Sequence, residues 1–191
     1  MKLIFATQNQ NKVKELSLLM PNSIELQSLK DINCNDDIPE TADNLQDNAT
    51  QKSAYVVNKF KVNCFADDTG LEIEALNNEP GVLSARYAGS QKNSNDNMDL
   101  VLKKLKNKTN RKARFRTVIS LVIDGKEHIF EGEAKGEIIS QKCGIDGFGY
   151  DPIFKPEGFD ITFAEMSLED KNKISHRGKA VRKLIEFLNN N

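Results

Sequence analysis

Several things are scarce in this chain, and each scarcity excludes something. Its 191 residues contain no tryptophan, two histidines, three cysteines and five prolines. The histidines, His128 and His176, are too few and too far apart for a zinc cluster. The cysteines, Cys34, Cys64 and Cys143, are odd in number, widely separated and never Cys-x-x-Cys. Neither a zinc site nor a disulfide framework is expected. No apolar run approaches the ~20 residues that span a bilayer. The start, Lys2-Leu3-Ile4-Phe5-Ala6, is too short for a signal peptide and lacks a cleavage pattern. An excess of one charge sign is also missing: 27 basic residues against 28 acidic leave a formal charge of -1. A general nucleic-acid binder carries a strong basic excess. The local basic stretch Lys103 to Arg116 could touch phosphate, but reads as a solvated helix end, a loop and the start of a strand. The expectation is a cytoplasmic protein that meets neither nucleic acid nor membrane.

What is present suits a globular fold: 38% hydrophobic and 29% charged residues, enough for one well-buried domain over residues 1–191. Leu3 to Thr7 reads as a buried strand and Asn11 to Met20 as a helix stopped by Pro21. Ile24 to Leu29 reads as a strand, Lys30 to Pro39 as an acidic loop, and Leu45 to Phe60 as a second helix. Asn63 to Ala66 is a strand expected to end at Asp67-Asp68 and turn at Gly70, followed by another near Leu71 to Leu76. Asn77 to Gly81 reads as a loop and Asn97 to Leu105 as an amphipathic helix. Ala113 to Ile123 and Glu127 to Ile139 form a long hairpin around Asp124-Gly125. A glycine-rich loop, Gly144 to Pro152, precedes a helix start at Ser167 and a terminal helix, His176 to Leu188. Strand, helix, strand, helix, strand and long hairpin predict a mixed α/β sheet. The hairpin can extend the sheet into a second lobe and leave a ligand cleft.

Four segments carry chemistry. The most informative is Asp67-Asp68: adjacent strand residues point to opposite faces, so one carboxylate turns inward. Burial then requires a cation or donors, which reads as a hard-metal site; an Asx-turn ending the strand is the plain alternative. Glu40, after Pro39, joins the pair as a further oxygen ligand for Mg²⁺, unless it belongs to an ordinary acidic loop. Thr7-Gln8-Asn9-Gln10-Asn11-Lys12 lies where the first strand meets the first helix, where free N–H groups and the helix dipole favour an anion. It is not a Walker A loop. Asn9 as a simple cap is the competing reading, but a cap does not explain a lysine in a first turn. Phe148-Gly149-Tyr150-Asp151 offers close approach, a ring for stacking on a base and an acceptor, or merely a turn with core aromatics. Lys171 and Ser175-His176-Arg177 place cations near a helix start, which calls for an anion.

In this order the segments resemble the inosine triphosphate pyrophosphatase family, the Ham1- or RdgB-like proteins. The motifs are Thr7-x-Asn9-x-x-Lys12, Glu40-Thr41 with Asn48-Ala49-x-x-Lys52, and Ala66-Asp67-Asp68-Thr69-Gly70-Leu71. Pro80-Gly81 with Ser84-Ala85-Arg86-Tyr87 follows, then Gly147-Phe148-Gly149-Tyr150-Asp151-Pro152, and Lys171 with Ser175-His176-Arg177-Gly178. The resemblance implies an elongated, two-lobed α/β fold with a long mixed central sheet flanked by helices and an active-site cleft between the lobes. It implies a homodimeric, Mg²⁺-dependent enzyme that hydrolyses ITP, dITP and XTP to the monophosphate and pyrophosphate, clearing them from the nucleotide pool. It assigns Thr7, Gln8, Asn9, Gln10, Asn11 and Lys12 to the triphosphate, Glu40 and Asp68 to the metal, and Asp68 to proton acceptance. Thr69, Phe148, Gly149, Tyr150, Asp151, Lys171, His176 and Arg177 would contact substrate. Departures from the pattern are Gln8 and Ala42 in place of glycines, Leu45 and Asp47 before Asn48, and Thr69 in place of serine. Two rivals are a nucleotide-binding module without catalysis and a Maf-like pyrophosphatase acting on modified pyrimidines or m7GTP.

Overall fold

The computed structural model describes residues 1–190; Asn191, the last residue of the expected domain, lies outside them. The apolar run at the start forms β1 (Lys2–Phe5), and its side chains alternate between two cores. Leu3 and Phe5 join a cluster with Leu16, Phe65, Ile119, Leu121, Ala180, Val181 and Leu184. Ile4 and Ala6 join another with Leu29, Cys34, Val56, Cys64 and Ala66. Phe5 stacks on Phe65 with ring centroids 4.6 Å apart.

Helix α1 (Gln10–Ser17) starts at Asn9, whose side chain accepts the N–H groups of Asn11 and Lys12. It stops three residues short of the expected Met20: the N–H groups of Leu19 and Met20 fold back onto the Leu16 carbonyl in a tight turn. After β2 (Glu25–Ser28) comes α2 (Leu45–Phe60), which has the expected bounds. Asn44 caps it through the Asp47 N–H at 2.8 Å, and Lys61 ends it in a left-handed conformation. Then comes β3, and here the structure corrects the sequence reading. It is one unbroken strand, Cys64–Ile73, that runs straight through Asp67-Asp68 and does not turn at Gly70. Gly70 serves a close approach: a Cβ there would lie 2.7 Å from the Gly81 carbonyl oxygen on β4 (Glu79–Gly81). Residues 74–76, expected as strand, form a 3-10 turn, and the expected loop at 79–81 is β4, antiparallel to β3.

Helix α3 (Ser94–Lys104) begins at an Asn93 cap, ahead of the expected Asn97. The hairpin is β5 (Lys112–Ile123) and β6 (Lys126–Ile138), joined at Asp124 and Gly125, both with positive φ. β7 (Phe154–Pro156), which the sequence did not signal, pairs antiparallel with β6. α4 (Leu168–Ile174) and α5 (His176–Asn189) close the chain. The sheet is mixed, as expected: β1 is parallel to β2 and β3, and the hydrogen-bonded order is β2-β1-β3-β5-β6-β7 with β4 beside β3.

The chain divides into two compact units. The first comprises Met1–Asp68, Thr117–Gly132 and 177–190, and holds the two cores already described. The second comprises Thr69–Arg116 and Glu133–His176. Its core gathers Leu71, Ile73, Met98, Val101, Leu105, Phe115, Phe154 and Phe163. No helix among the described residues is long and apolar enough to cross a membrane.

Candidate active site

Strand alternation separates the two aspartates. Asp67 continues the face of Phe65, which α1 and α5 cover; Asp68 continues the face of Cys64 and Ala66, which packs toward α2. On the first face Lys12 Nζ lies 2.7 Å from Asp67 Oδ1, and Arg177 Nε lies 3.2 Å from Asp67 Oδ2. Arg177 also donates to Glu15 of α1. Asp67, Glu15 and Arg177 are all buried. Burial pushes the Asp67 pKa up, but the Lys12 and Arg177 charges outweigh it and hold the carboxyl far below the usual range. Lys12 is lowered, first by desolvation, against the pull of Asp67.

On the second face Asn48 Nδ2 donates to Asp68 Oδ2 at 3.0 Å. Lys52, one turn further along α2, donates to Glu40 and lies 3.6 Å from Asp68 Oδ1. Glu40 and Asp68, 28 positions apart, therefore meet at one ammonium. Burial raises the Asp68 pKa, and the like charge of Glu40 adds to it against the Lys52 and Lys12 charges. Lys52 is raised, because Asp68 and Glu40 outweigh its desolvation. Two hard oxygen donors, with one carboxylate raised by burial and by its neighbour, fit the usual protein share of a Mg²⁺ site, which leaves room for water and phosphate. No group of three or more His, Cys, Asp or Glu gathers in metal-binding geometry among the described residues.

The loop of residues 7–12 belongs to the same unit. Thr7 Oγ1 accepts the Asn9 N–H at 3.2 Å, and Asn9 Oδ1 accepts those of Asn11 at 3.0 Å and Lys12 at 3.4 Å. Asn9 is thus a helix cap, and Lys12 reaches past the first turn to Asp67. Gln10 and Asn11 are exposed, with no acidic residue in that turn.

The second unit carries a separate constellation. Lys171 Nζ and the Phe148 N–H converge on Asp151 Oδ2, at 2.7 and 2.8 Å. The ammonium also lies 5.0 Å from the centroid of the Phe148 ring. Gly147 (φ 75°) has no room for a side chain, since a Cβ there would lie 2.2 Å from Asp151 Oδ2. Tyr150 is buried, and its hydroxyl donates to the Ser84 carbonyl at 2.8 Å; burial raises its pKa. Gly149 (φ 64°) permits the turn between them. His176 stacks on Phe115 with ring centroids 4.5 Å apart. Thr69, the first residue of this unit, is half-buried on β3.

A family model now decides the lineage: that of the Ham1 family matches residues 3–187. The chain belongs to the Ham1 family. It is 60% identical over 188 residues to the dITP/XTP pyrophosphatase of Flavobacterium johnsoniae, covering 98% of both chains. The dITP/XTP pyrophosphatase of Flavobacterium psychrophilum is 57% identical over 190 residues, with 100% of both chains covered. The solved Ham1 protein of Staphylococcus aureus superposes with a TM-score of 0.90 at 38% identity, covering 100% of this chain and 99% of that one.

Two departures from the Ham1 pattern find local explanations. Ala42 is not among the positive-φ residues, so its loop does not need glycine; its N–H donates to Asn48 Oδ1 at 2.9 Å. Gln8 turns its side chain to the Asp36 carbonyl at 2.8 Å. The cations read as needing an outside anion already have protein carboxylates: Arg177 has Glu15 and Asp67, and Lys171 has Asp151. Glu15 escaped the sequence reading. Its only signal was position, one helical turn after Lys12 and so on the same face. Asp36, Tyr55 and Lys59 were missed as well: Tyr55 and Lys59 share a face of α2, but nothing local announces that Asp36 meets them.

Proposed function

We propose that this chain is a Mg²⁺-dependent nucleoside triphosphate pyrophosphatase that converts deaminated purine nucleoside triphosphates (ITP, dITP and XTP) to the monophosphate and pyrophosphate. The observation that carries the mechanism is the division of labour at Asp67-Asp68. Asp67 is spent on Lys12 and Arg177, and its depressed pKa makes it a poor base. Asp68, raised and facing Glu40 and Lys52, is the residue suited to take a proton.

Glu40 and Asp68 would hold Mg²⁺, which supplies charge neutralisation on the phosphates and orients a water. Asp68 accepts a proton from the water as it attacks the α-phosphorus, and the bond to the β-phosphate oxygen breaks in line. Lys12, Lys52 and the positive end of the α1 dipole stabilise the charge that develops on pyrophosphate. Phe148, Asp151, Lys171, His176 and Thr69 are assigned to the nucleoside. A 6-oxo purine presents an acceptor to a donor such as Arg177 or a backbone N–H. Adenine presents an amino donor there, and a buried donor facing a donor is costly.

A substrate panel of dITP, XTP, dUTP, dGTP and m7GTP tests this reading. Turnover with Mg²⁺ should be highest for dITP and XTP; preference for dUTP or m7GTP would move the chain to another substrate class. Asp68→Asn should stay folded and lose at least about 100-fold in kcat, the scale of a removed general base. Near-normal pyrophosphate release would remove Asp68 from the mechanism. Lys12→Ala should raise KM and lower kcat for dITP. The family pattern also supports a homodimer and a cytoplasmic address; sedimentation equilibrium at micromolar protein tests the first.

A further inference from the structure

Glu40 lies in the long connection between β2 and α2, so something must hold that connection still. On its far side α2 does so: Gln51 Oε1 accepts the Thr41 N–H at 3.1 Å and Asn48 Oδ1 accepts that of Ala42. On its near side the anchor is Asp36. Its carboxylate accepts the Tyr55 hydroxyl at 2.7 Å, the Lys59 ammonium and the Cys34 thiol. Cys34, Ile32 and Ile38 pack in the core beside it. The backbone carbonyl of Asp36 accepts one more bond, from Gln8 Nε2 at 2.8 Å. Gln8 lies between Thr7 and Asn9, in the loop whose N–H groups open α1. One side-chain amide therefore ties that loop to the connection that bears Glu40, four residues from the tie.

We propose that Gln8 is a positioning residue: through Asp36 it fixes the spacing between loop 7–12 and Glu40, and so sets the affinity of the Glu40–Asp68 pair for Mg²⁺. Its amide works at a distance from the metal, and the phosphates are left to Lys12 and the positive end of α1. This rests on the metal assignment made above. The chemistry is specific: a carbonyl acceptor needs a donor, so the isosteric Gln8→Glu fails as fully as Gln8→Ala.

Three measurements on the full chain test it. The first is Mg²⁺ binding to the nucleotide-free protein by calorimetry. Gln8→Ala and Gln8→Glu should each weaken it by about tenfold, the lower end for outer-shell partners, and the effect should vanish in a Glu40→Gln background. The second is amide hydrogen exchange, which should speed up over residues 36–42 in both variants and stay unchanged within α2. The third is binding of an α,β-imido analogue of ITP in EDTA, which Gln8→Ala should leave within about twofold. Unchanged Mg²⁺ affinity or unchanged exchange would overturn the proposal. A large loss of metal-free analogue affinity would also overturn it, because it would make Gln8 a direct phosphate ligand. If the unmodified protein binds no Mg²⁺ or turns over none of the panel, the functional reading fails instead. The exchange arm then still decides whether Gln8 clamps the connection.

Discussion

Removing one member of a buried ion group leaves its partners uncompensated, so single neutral substitutions around Asp67 should be severe. Glu15→Gln strips Arg177 of one of its two carboxylates. It should cost about 3 kcal/mol in urea denaturation, the scale for breaking a buried pair; a loss below about 1 kcal/mol would mean that water reaches the pair. The three thiols should differ as well. Cys34 and Cys64 are buried, and burial pushes the Cys64 pKa up to about 12. Cys143 is half-exposed, so a thiol reagent should titrate one cysteine quickly in the native protein and all three after denaturation. A raised thiol pKa favours the protonated, folded form. The Cys64 contribution to stability is thus complete below the unfolded thiol value of about 8.5. It is lost as pH rises from there through the folded value of about 12. Replacing Cys64 with alanine should flatten that alkaline decline. At this scale the sequence was informative where chemistry is local. An Asp-Asp pair in a strand implies opposite faces, whereas the arrival of Glu40, Lys52 and Arg177 depends on packing that no short window contains.

Helix α2 was legible to its last residue because Leu45, Ala49, Ser53, Val56 and Phe60 recur at helical spacing; in the structure Asn44 caps its start and Lys61 closes it in a left-handed turn. β3 was misread because Asp-Asp-Thr-Gly looks like a strand end by composition. The strand continues because distant cations neutralise the aspartates and because Gly70 admits the backbone of β4. Gly70→Ala should therefore destabilise by about 2 kcal/mol through overpacking against a backbone oxygen, an obstacle that cannot rotate away. Calorimetric melting checks this. Helix α2 is also fixed from behind: Ser53 and Ser120 share a buried hydrogen bond of 2.7 Å, and Glu127 accepts from Ser120 and Thr50, each at 2.7 Å. Ser120→Ala leaves one of those buried groups short of a partner and should cost about 1–2 kcal/mol without loss of dITP turnover.

For the molecule as a whole, composition and element order were enough for the mixed α/β class, but not for the division into units. β3, β5, β6 and the first turn of α5 each pass from one unit to the other within a regular run of sequence. No proline, glycine cluster or polar linker marks those passages, so they are invisible to a reading based on punctuation. Ligand linkage supplies a test at this scale. The α,β-imido analogue of ITP with Mg²⁺ at about 100 times its dissociation constant should stabilise the protein by about 2.7 kcal/mol. The gain should shrink sharply in Asp68→Asn.

The opposed aspartates of β3 also bear on how this gene can vary. Inserting or deleting a single codon between Phe65 and Asp67 would exchange the two carboxylates, handing the guanidinium's partner to α2 and the proton acceptor to the interior. Length changes should be confined to the outer loops of related genes and absent from this stretch, where even a conservative frame-preserving indel would invert the chemistry.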